Sequence, residues 1–175
     1  MPFDLQPHLE GALLKLRPLA ADDLPALFKV ASDPLIWEQH PASDRYKRDV
    51  FSVFFDEALA SGGALLALDT ANAEVIGSSR YHGYSEETRT IEIGWTFLAR
   101  KYWGGNYNRE MKKLMLEHAY QFVDSVLLII GDSNIRSQKA AEKIGARQVD
   151  TRADEVMGTS YVFEILKSDY LERPP

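Results

Sequence analysis

Apolar and polar positions change period several times along the chain, and each change marks an element. "GALLKLRPL" (11–19) reads as a first strand. "AADDLPALFKVASD" (20–33) reads as a helix, with Asp22 and Asp23 in the first turn, where the helix dipole favours acids. Two prolines make "DPLIWEQHPASD" (33–44) a loop. In "RYKRDVFSVFFDEALASGG" (45–63) the residues Val50, Phe51, Phe54, Phe55, Ala58 and Leu59 recur at helical spacing, and Gly62 and Gly63 stop the helix.

The middle of the chain turns to strands. "GALLALDT" (63–70) and "AEVIGSSRYHGY" (73–84) flank a short turn containing Asn72 and predict a hairpin. "TIEIGWTFLA" (90–99) is the next strand, and Gly94 inside it predicts a bulge or a close approach by another backbone. "KYWGGNYNREMKKLMLEHA" (101–119) is a glycine turn followed by a helix, with Met111, Leu114, Met115, His118 and Phe122 on one face. His118, on that apolar face, reads as a satisfied core residue. Five successive aliphatics in "SVLLIIGDS" (125–133) predict a central strand buried on both faces. "NIRSQKAAEKIG" (134–145) is a short helix with Asn at its start and Gly at its end. "ARQVDTRADEVM" (146–157) and "SYVFEILK" (160–167) close the chain as an antiparallel pair. This order predicts one α/β (α+β) domain over residues 1–175, with a mixed sheet and helices on both faces.

Composition narrows the function classes. The 175 residues can bury a continuous core unaided, and no cysteine is present for a disulfide, a thiol nucleophile or a thiolate metal site. No combination of His and carboxylates has metal-ligand spacing, so no metal is expected. There is no long apolar run and no basic, apolar leader, so a soluble cytoplasmic protein without a membrane partner is expected. The net charge of −6 argues against nucleic acid as the main partner.

Two strand-to-helix junctions carry candidate chemistry. A glycine turn before a helix gathers backbone N–H groups and the positive end of the dipole, which suits an anion. Neither GxxxxGK[ST] nor GxGxxG is present. Arg109, Lys112 and Lys113 follow the turn with only Glu110 to offset them, although cations oppose the dipole there. They either reach into solvent or serve a bound polyanion. At the second junction Asn134 is either an ordinary N-cap, with Ser137 satisfying a backbone group, or a ligand group. It follows a buried strand, where open α/β sheets commonly place their sites.

On "EIGWTF", "YWGGNYNREMKKLML" and "NIRSQKAAEKIGA" the chain resembles the GNAT acetyltransferase superfamily, and among its branches the ribosomal-protein-alanine N-acetyltransferases. The likeness runs from "LKLRPLAADDLPALF" to the last strand. It implies a mostly antiparallel sheet with a splay between the fourth and fifth strands, and acetyl-CoA as co-substrate. The resemblance implies that Trp95, Thr96 and Phe97 line the pantetheine and acetyl group. Backbone N–H groups among Gly104, Gly105, Asn106, Tyr107, Asn108 and Arg109 would cradle the pyrophosphate. Asn134 would bond the pantetheine, Ser137 would sit near the sulfur, and Lys139 would reach a phosphate. This sequence departs from the family pattern in two places. Asn106 and Asn108 stand where Gly and Gly/Ala are usual, and Ala141 stands where many members carry a Tyr general acid.

The implied reaction is acyl transfer to a primary amine, either a protein N-terminus or a small molecule. The attacking amine must lose a proton, and Glu92 beside the splay is the candidate base, with a structural carboxylate as the plainer reading. A backbone N–H near Trp95 to Phe97 would hold the oxyanion, and Ser137 would protonate the departing thiolate. Trp37, Glu38 and His40 in the loop between the first two helices, with His82 in the hairpin, are the candidate acceptor site, unless Trp37 simply pins that loop to the core. The alternative functions are a non-catalytic module holding CoA or another phosphorylated ligand, and a structural domain without ligand. Monomer and homodimer are both compatible with the sequence.

Overall fold

The computed structural model describes residues 2–154 and 158–172. One eight-stranded sheet runs in the order β1-β2-β3-β4-β5-β6-β8-β7. Its strands are β1 (Leu9–Glu10), β2 (Leu14–Pro18), β3 (Ala64–Asp69), β4 (Val75–Ser85), β5 (Thr90–Leu98), β6 (Ser125–Gly131), β7 (Arg147–Asp154) and β8 (Gly158–Leu166). Five α-helices accompany them: α1 (Leu24–Ala31), α2 (Arg48–Ala60), α3 (Tyr107–Ala119), α4 (Ile135–Lys143) and α5 (Lys167–Leu171). Every strand pair is antiparallel except β5 with β6. This is the mixed, mostly antiparallel sheet that the sequence and its resemblance predict. The expected splay between the fourth and fifth strands falls between β5 and β6, because the two-residue β1 adds one to the count.

The sheet has a core on each face, so that β3, whose successive side chains point to opposite faces, is buried almost throughout. On one face Tyr81, Ile91 and Ile93 pack with Met111 and Met115 of α3. On the other, Leu66 and Phe97 pack with Leu27 of α1 and with Phe51, Phe54 and Phe55 of α2. β6 lies between β5 and β8, with Val126 and Leu128 buried in the first core and Leu127, Ile129 and Ile130 half-buried, the last two lining a cavity. His118 is buried in the first core, where its Nε2 lies 2.7 Å from the Asp4 carbonyl oxygen, as a satisfied core residue should.

Two helix boundaries differ from the sequence expectation. α3 ends at Ala119, so Phe122 lies in the following turn, although it still stacks against Phe3 at 5.0 Å. α2 begins at Arg48, which leaves Arg45 in the preceding loop. The closing pair is antiparallel as expected, while Glu155, Val156 and Met157 of "ARQVDTRADEVM" lie outside the described residues. Glu110 has a role no pattern announces. Its carboxylate accepts from the backbone N–H groups of Ala12, Leu13 and Leu14 at 3.1, 2.7 and 2.9 Å, fastening the β1–β2 turn to α3. Among the described residues no helix is long and apolar enough to cross a membrane.

Candidate active site

β5 and β6 pair through three residues only: Thr90, Ile91 and Glu92 opposite Ser125, Val126 and Leu127. Beyond Glu92 the strands part. The cause lies on the other edge of β5, where Trp95 and Thr96 together oppose the single residue Ser79 of β4. An extra residue on one strand is a bulge, which bends that strand and increases its twist. Trp95 carries the strain, with φ of 51°. For a bulky non-glycine residue this costs about 1–3 kcal/mol, and such strain gathers at functional sites. Gly94, where the sequence suggested the bulge, has another purpose. A Cβ there would sit 3.0 Å from Glu92 Oε1, so the glycine leaves room for the folded-back carboxylate.

The parting opens a cavity of about 460 Å³. From the side of α1 and α2 it is lined by Trp37, His40, Arg45, Glu92 and Trp95, and from the side of α3 and α4 by Thr96, Asn108, Lys112, Asn134, Ser137 and Ala141. Trp37 is 3% exposed and donates from Nε1 to the Ala31 carbonyl at 2.7 Å. It therefore pins the loop to the core and walls the cavity at once. Arg136 holds the same loop from α4, with its backbone N–H donating to Gln39 Oε1 at 3.1 Å and its guanidinium to the Ile36 carbonyl at 2.9 Å.

Burial sets the protonation states. It pushes the Glu92 carboxyl up to about 7, with Arg152 and Arg80 pulling weakly the other way. The buried Lys112 ammonium is pushed down to about 7. Its Nζ donates to Thr96 Oγ1 at 2.6 Å, and that hydroxyl lies 2.7 Å from Ser79 Oγ, so a chain of polar contacts spans the bulge. His40 is pushed down to about 4, first by burial and then by Arg45. It is a neutral ring at neutral pH.

The glycine turn meets the helix without distortion at the asparagines. Gly104 takes the positive φ of 70°, whereas Asn106 has φ of −86° and Asn108 lies within α3. Neither asparagine needs the left-handed conformation. Nothing lies within 4 Å of a Cβ built on Gly104 or Gly105, so the turn is open above both. No side chain caps α3, and its first backbone contact runs from the Glu110 N–H to the Asn106 carbonyl at 2.8 Å. The N–H groups of Tyr107, Asn108 and Arg109 thus remain at the helix start as free donors. At α4 the Asn134 side chain accepts from the Ser137 N–H at 3.2 Å, which makes it a true N-cap. Its amide nitrogen is left facing the cavity. Replacing Asn134 by Ala removes the cap, and we expect a loss of about 1 kcal/mol, lowering Tm by about 3 °C in a thermal melt followed by circular dichroism.

Of the sequence candidates, the fold brings Glu92, Trp95, Thr96, Asn108, Asn134, Ser137, Trp37 and His40 to one cavity. Gly104, Gly105, Asn106, Tyr107 and Arg109 form the turn and helix start beside it. Four side chains go elsewhere. Phe97 is buried against Trp37, with ring centroids 5.0 Å apart. Glu38 is exposed and interacts with Arg136. His82 is exposed and stands edge-on to Trp95, and Lys139 is exposed on α4. Lys112 is buried in the cavity wall rather than displayed with Arg109 and Lys113 at the helix start. A signal for this existed, since Lys112 lies one turn after Asn108 and beside Met111. Arg45, Arg80 and Arg152 had none, because a loop, a strand bend and a distant hairpin bring them together.

The comparisons agree with this geometry. A GCN5-related N-acetyltransferase from Brucella melitensis superposes with a TM-score of 0.80 at 21% identity, covering 95% of this chain and 81% of that one. A GNAT-family acetyltransferase from Bacillus anthracis gives 0.77 at 18% identity over 93% and 99% of the two chains. A spermidine N-acetyltransferase from Vibrio cholerae, in complex with CoA and spermine, gives 0.72 at 16% identity over 93% and 100%. No curated protein matches the sequence. The family model for the acetyltransferase (GNAT) domain matches residues 14–147. With that match spanning the bulge, the glycine turn and the α4 cap, the chain belongs to the GNAT acetyltransferase family.

Proposed function

We propose that this chain moves an acetyl group from acetyl-CoA to a primary amine, by direct attack of the amine in a ternary complex. The observation that carries this reading is a single cavity that joins Glu92, on the side of the α1–α2 loop, to Asn134 and Ser137, on the side of α4. The chain's own groups fit the co-substrate. Free N–H groups at the α3 start, below an open glycine turn, suit a pyrophosphate. The parted edges of β5 and β6 beyond Glu92, with the Asn134 amide, suit an amide-bearing arm.

When bound, acetyl-CoA supplies an acetyl group on a sulfur that leaves readily. The protein supplies position and proton transfer. Glu92 takes the proton of the incoming amine, and at about 7 its carboxyl is well matched to an α-amine titrating near 8. The bulge takes Trp95 and Thr96 out of the pairing with β4, and a backbone N–H near Trp95 to Phe97 can donate to the acetyl oxygen. Lys112 is a positioning residue in this scheme, holding Thr96 and through it the bulge. The Ser137 hydroxyl lines the cavity and can return a proton to the thiolate. The helix position of the usual Tyr is Ala141, so no phenol competes for that task.

Two measurements test the reading. CoA at a hundredfold excess over its Kd should stabilise the protein by about 2.7 kcal/mol, while plain phosphate should not. A screen of amines for thioester loss should find turnover. Protection by CoA with no turnover on any amine would make the chain a binding module, and failure of both would remove acetyl-CoA from the account.

A further inference from the structure

Around the acceptor half of the cavity stand three guanidiniums, with Glu92 as the carboxyl group lining the same space. Arg45 lines it and lies over the Phe54 ring, 4.5 Å from the ring centroid. Behind that wall Arg80 is only 5% exposed and stacks on Trp95 at 4.6 Å. Its Nε and Nη2 are enclosed and have no hydrogen-bond partner. Arg152 lines the cavity as well. None of these three forms an ion pair within 4.0 Å among the described residues. The acids that act on them from a distance are Glu57 and Asp44 on Arg45, Glu57 and Glu92 on Arg80, and Glu92 on Arg152. Arg45 is pulled down to about 10, first by burial and next by Arg80. A buried and a half-buried guanidinium over the same Phe54 ring are costly unless an anion joins them.

His40 points to the same missing partner. Its Nδ1 accepts the Ala42 N–H at 2.9 Å, so the single proton of the neutral ring sits on Nε2. Nε2 is 3.2 Å from Arg45 Nη1, which is also a donor. The other tautomer only moves the conflict to Ala42. One donor facing another is resolved by an acceptor placed between them.

The loop that carries these groups is closed down on β6. A Cβ on Gly131 would meet Pro41 Cγ at 2.8 Å, and Arg136 ties the loop to α4. About 460 Å³ must take the acetyl end of the co-substrate together with the acceptor, which leaves room for a small molecule.

We propose that the acceptor is a small amine bearing a carboxylate, of the amino-acid class, with Arg45 and His40 taking the carboxylate and Glu92 facing the amine. This rests on the acetyl-transfer reading above and narrows its substrate class. Arg80 supplies positive potential from behind Arg45. A polyamine meets the wrong charge here.

The test compares matched amines: L-leucine with L-leucinamide and isopentylamine, ethanolamine with phosphoethanolamine, then spermidine and a short peptide. The carboxylate-bearing member should show kcat/KM roughly tenfold to a hundredfold above its uncharged partners, mostly through KM. Arg45→Met keeps apolar cover on Phe54 and should erase that preference, with Arg45→Lys in between. Equal rates across the leucine set would overturn the proposal, as would preference for spermidine, the peptide or phosphoethanolamine. A direct titration of the protein with N-acetyl-L-leucine and its amide, followed by calorimetry, needs no turnover. Tighter binding of the acid that Arg45→Met abolishes would uphold the carboxylate site even if the acetyl-transfer reading failed. Equal binding of acid and amide would overturn it.

Discussion

Replacing Glu92 by Gln should lower kcat/KM by about a hundredfold to a thousandfold, the range a positioned base contributes. The pH profile makes the result specific. Burial holds the Glu92 carboxyl at about 7, so in the wild-type protein the acid limb of kcat/KM should rise about tenfold per pH unit and level off above pH 7. The acceptor amine adds its own limb at higher pH. In Glu92→Gln the inflection near 7 should vanish while the amine limb stays. The geometry favours this assignment because the carboxylate folds over Gly94 at the point where β5 leaves β6. An unchanged inflection near 7 in the Gln variant would return Glu92 to a structural role.

The second large effect is on stability. Lys112 is 8% exposed and, among the described residues, its ammonium donates to a neutral hydroxyl, so the charge is expensive. A fall from 10.5 to about 7 amounts to a penalty on the order of 5 kcal/mol for the charged form. Between pH 7 and 10.5 the unfolded chain holds the proton that the folded chain has released, so stability rises with pH across that window. Glu92 acts with the opposite sign below it. Its folded value of about 7 lies above the unfolded 4.5, so the native state binds the extra proton, and stability falls as pH rises from 4.5 to 7. The ligand-free protein should therefore show a stability minimum near pH 7 in urea titrations. Lys112→Met should be more stable than wild type by about 3 kcal/mol at pH 7, with the gain fading toward pH 10.5. Glu92→Gln should flatten the acid side of the minimum. A monotonic profile, or a destabilised Met variant at pH 7, would mean that Lys112 keeps water or an anion beside it.

Both effects come from one physical fact: the site puts ionisable groups in a gap between strands, where water is scarce but the charges have no neutralising partner. The Arg45, Arg80 and His40 cluster is a third instance. The low exposure that holds Glu92 near the working pH also makes Lys112 costly and leaves the arginines seeking an anion.

Much of the fold was legible because it rests on local periods. The apolar strand runs between turn residues, the aliphatic run of β6 and the helical spacing of α2 and α3 each recorded an element and its burial. The Asn134 cap and the glycine turn were legible for a similar reason, since caps and turns are made by neighbours in sequence. The bulge was placed one residue early. A glycine signals that something unusual happens nearby, but whether it relieves the backbone or a neighbouring side chain depends on the opposite strand. Here the positive φ went to Trp95, and Gly94 made room for Glu92.

The chain by itself determined the element order, the two-faced sheet, the two strand-to-helix junctions and the resemblance that the family match then confirmed. Only the tertiary structure decided which charges meet. Arg45 comes from a loop, Arg80 from β4, Glu92 from β5, Lys112 from α3 and Arg152 from β7. Local sequence fixes backbone conformation through short-range sterics and hydrogen bonds. Burial and the Coulomb field are set by segments far apart in the chain. For that reason the lysine that the sequence left either facing solvent or serving a polyanion proved to be buried, and three arginines gather around one cavity in a protein whose net charge is −6.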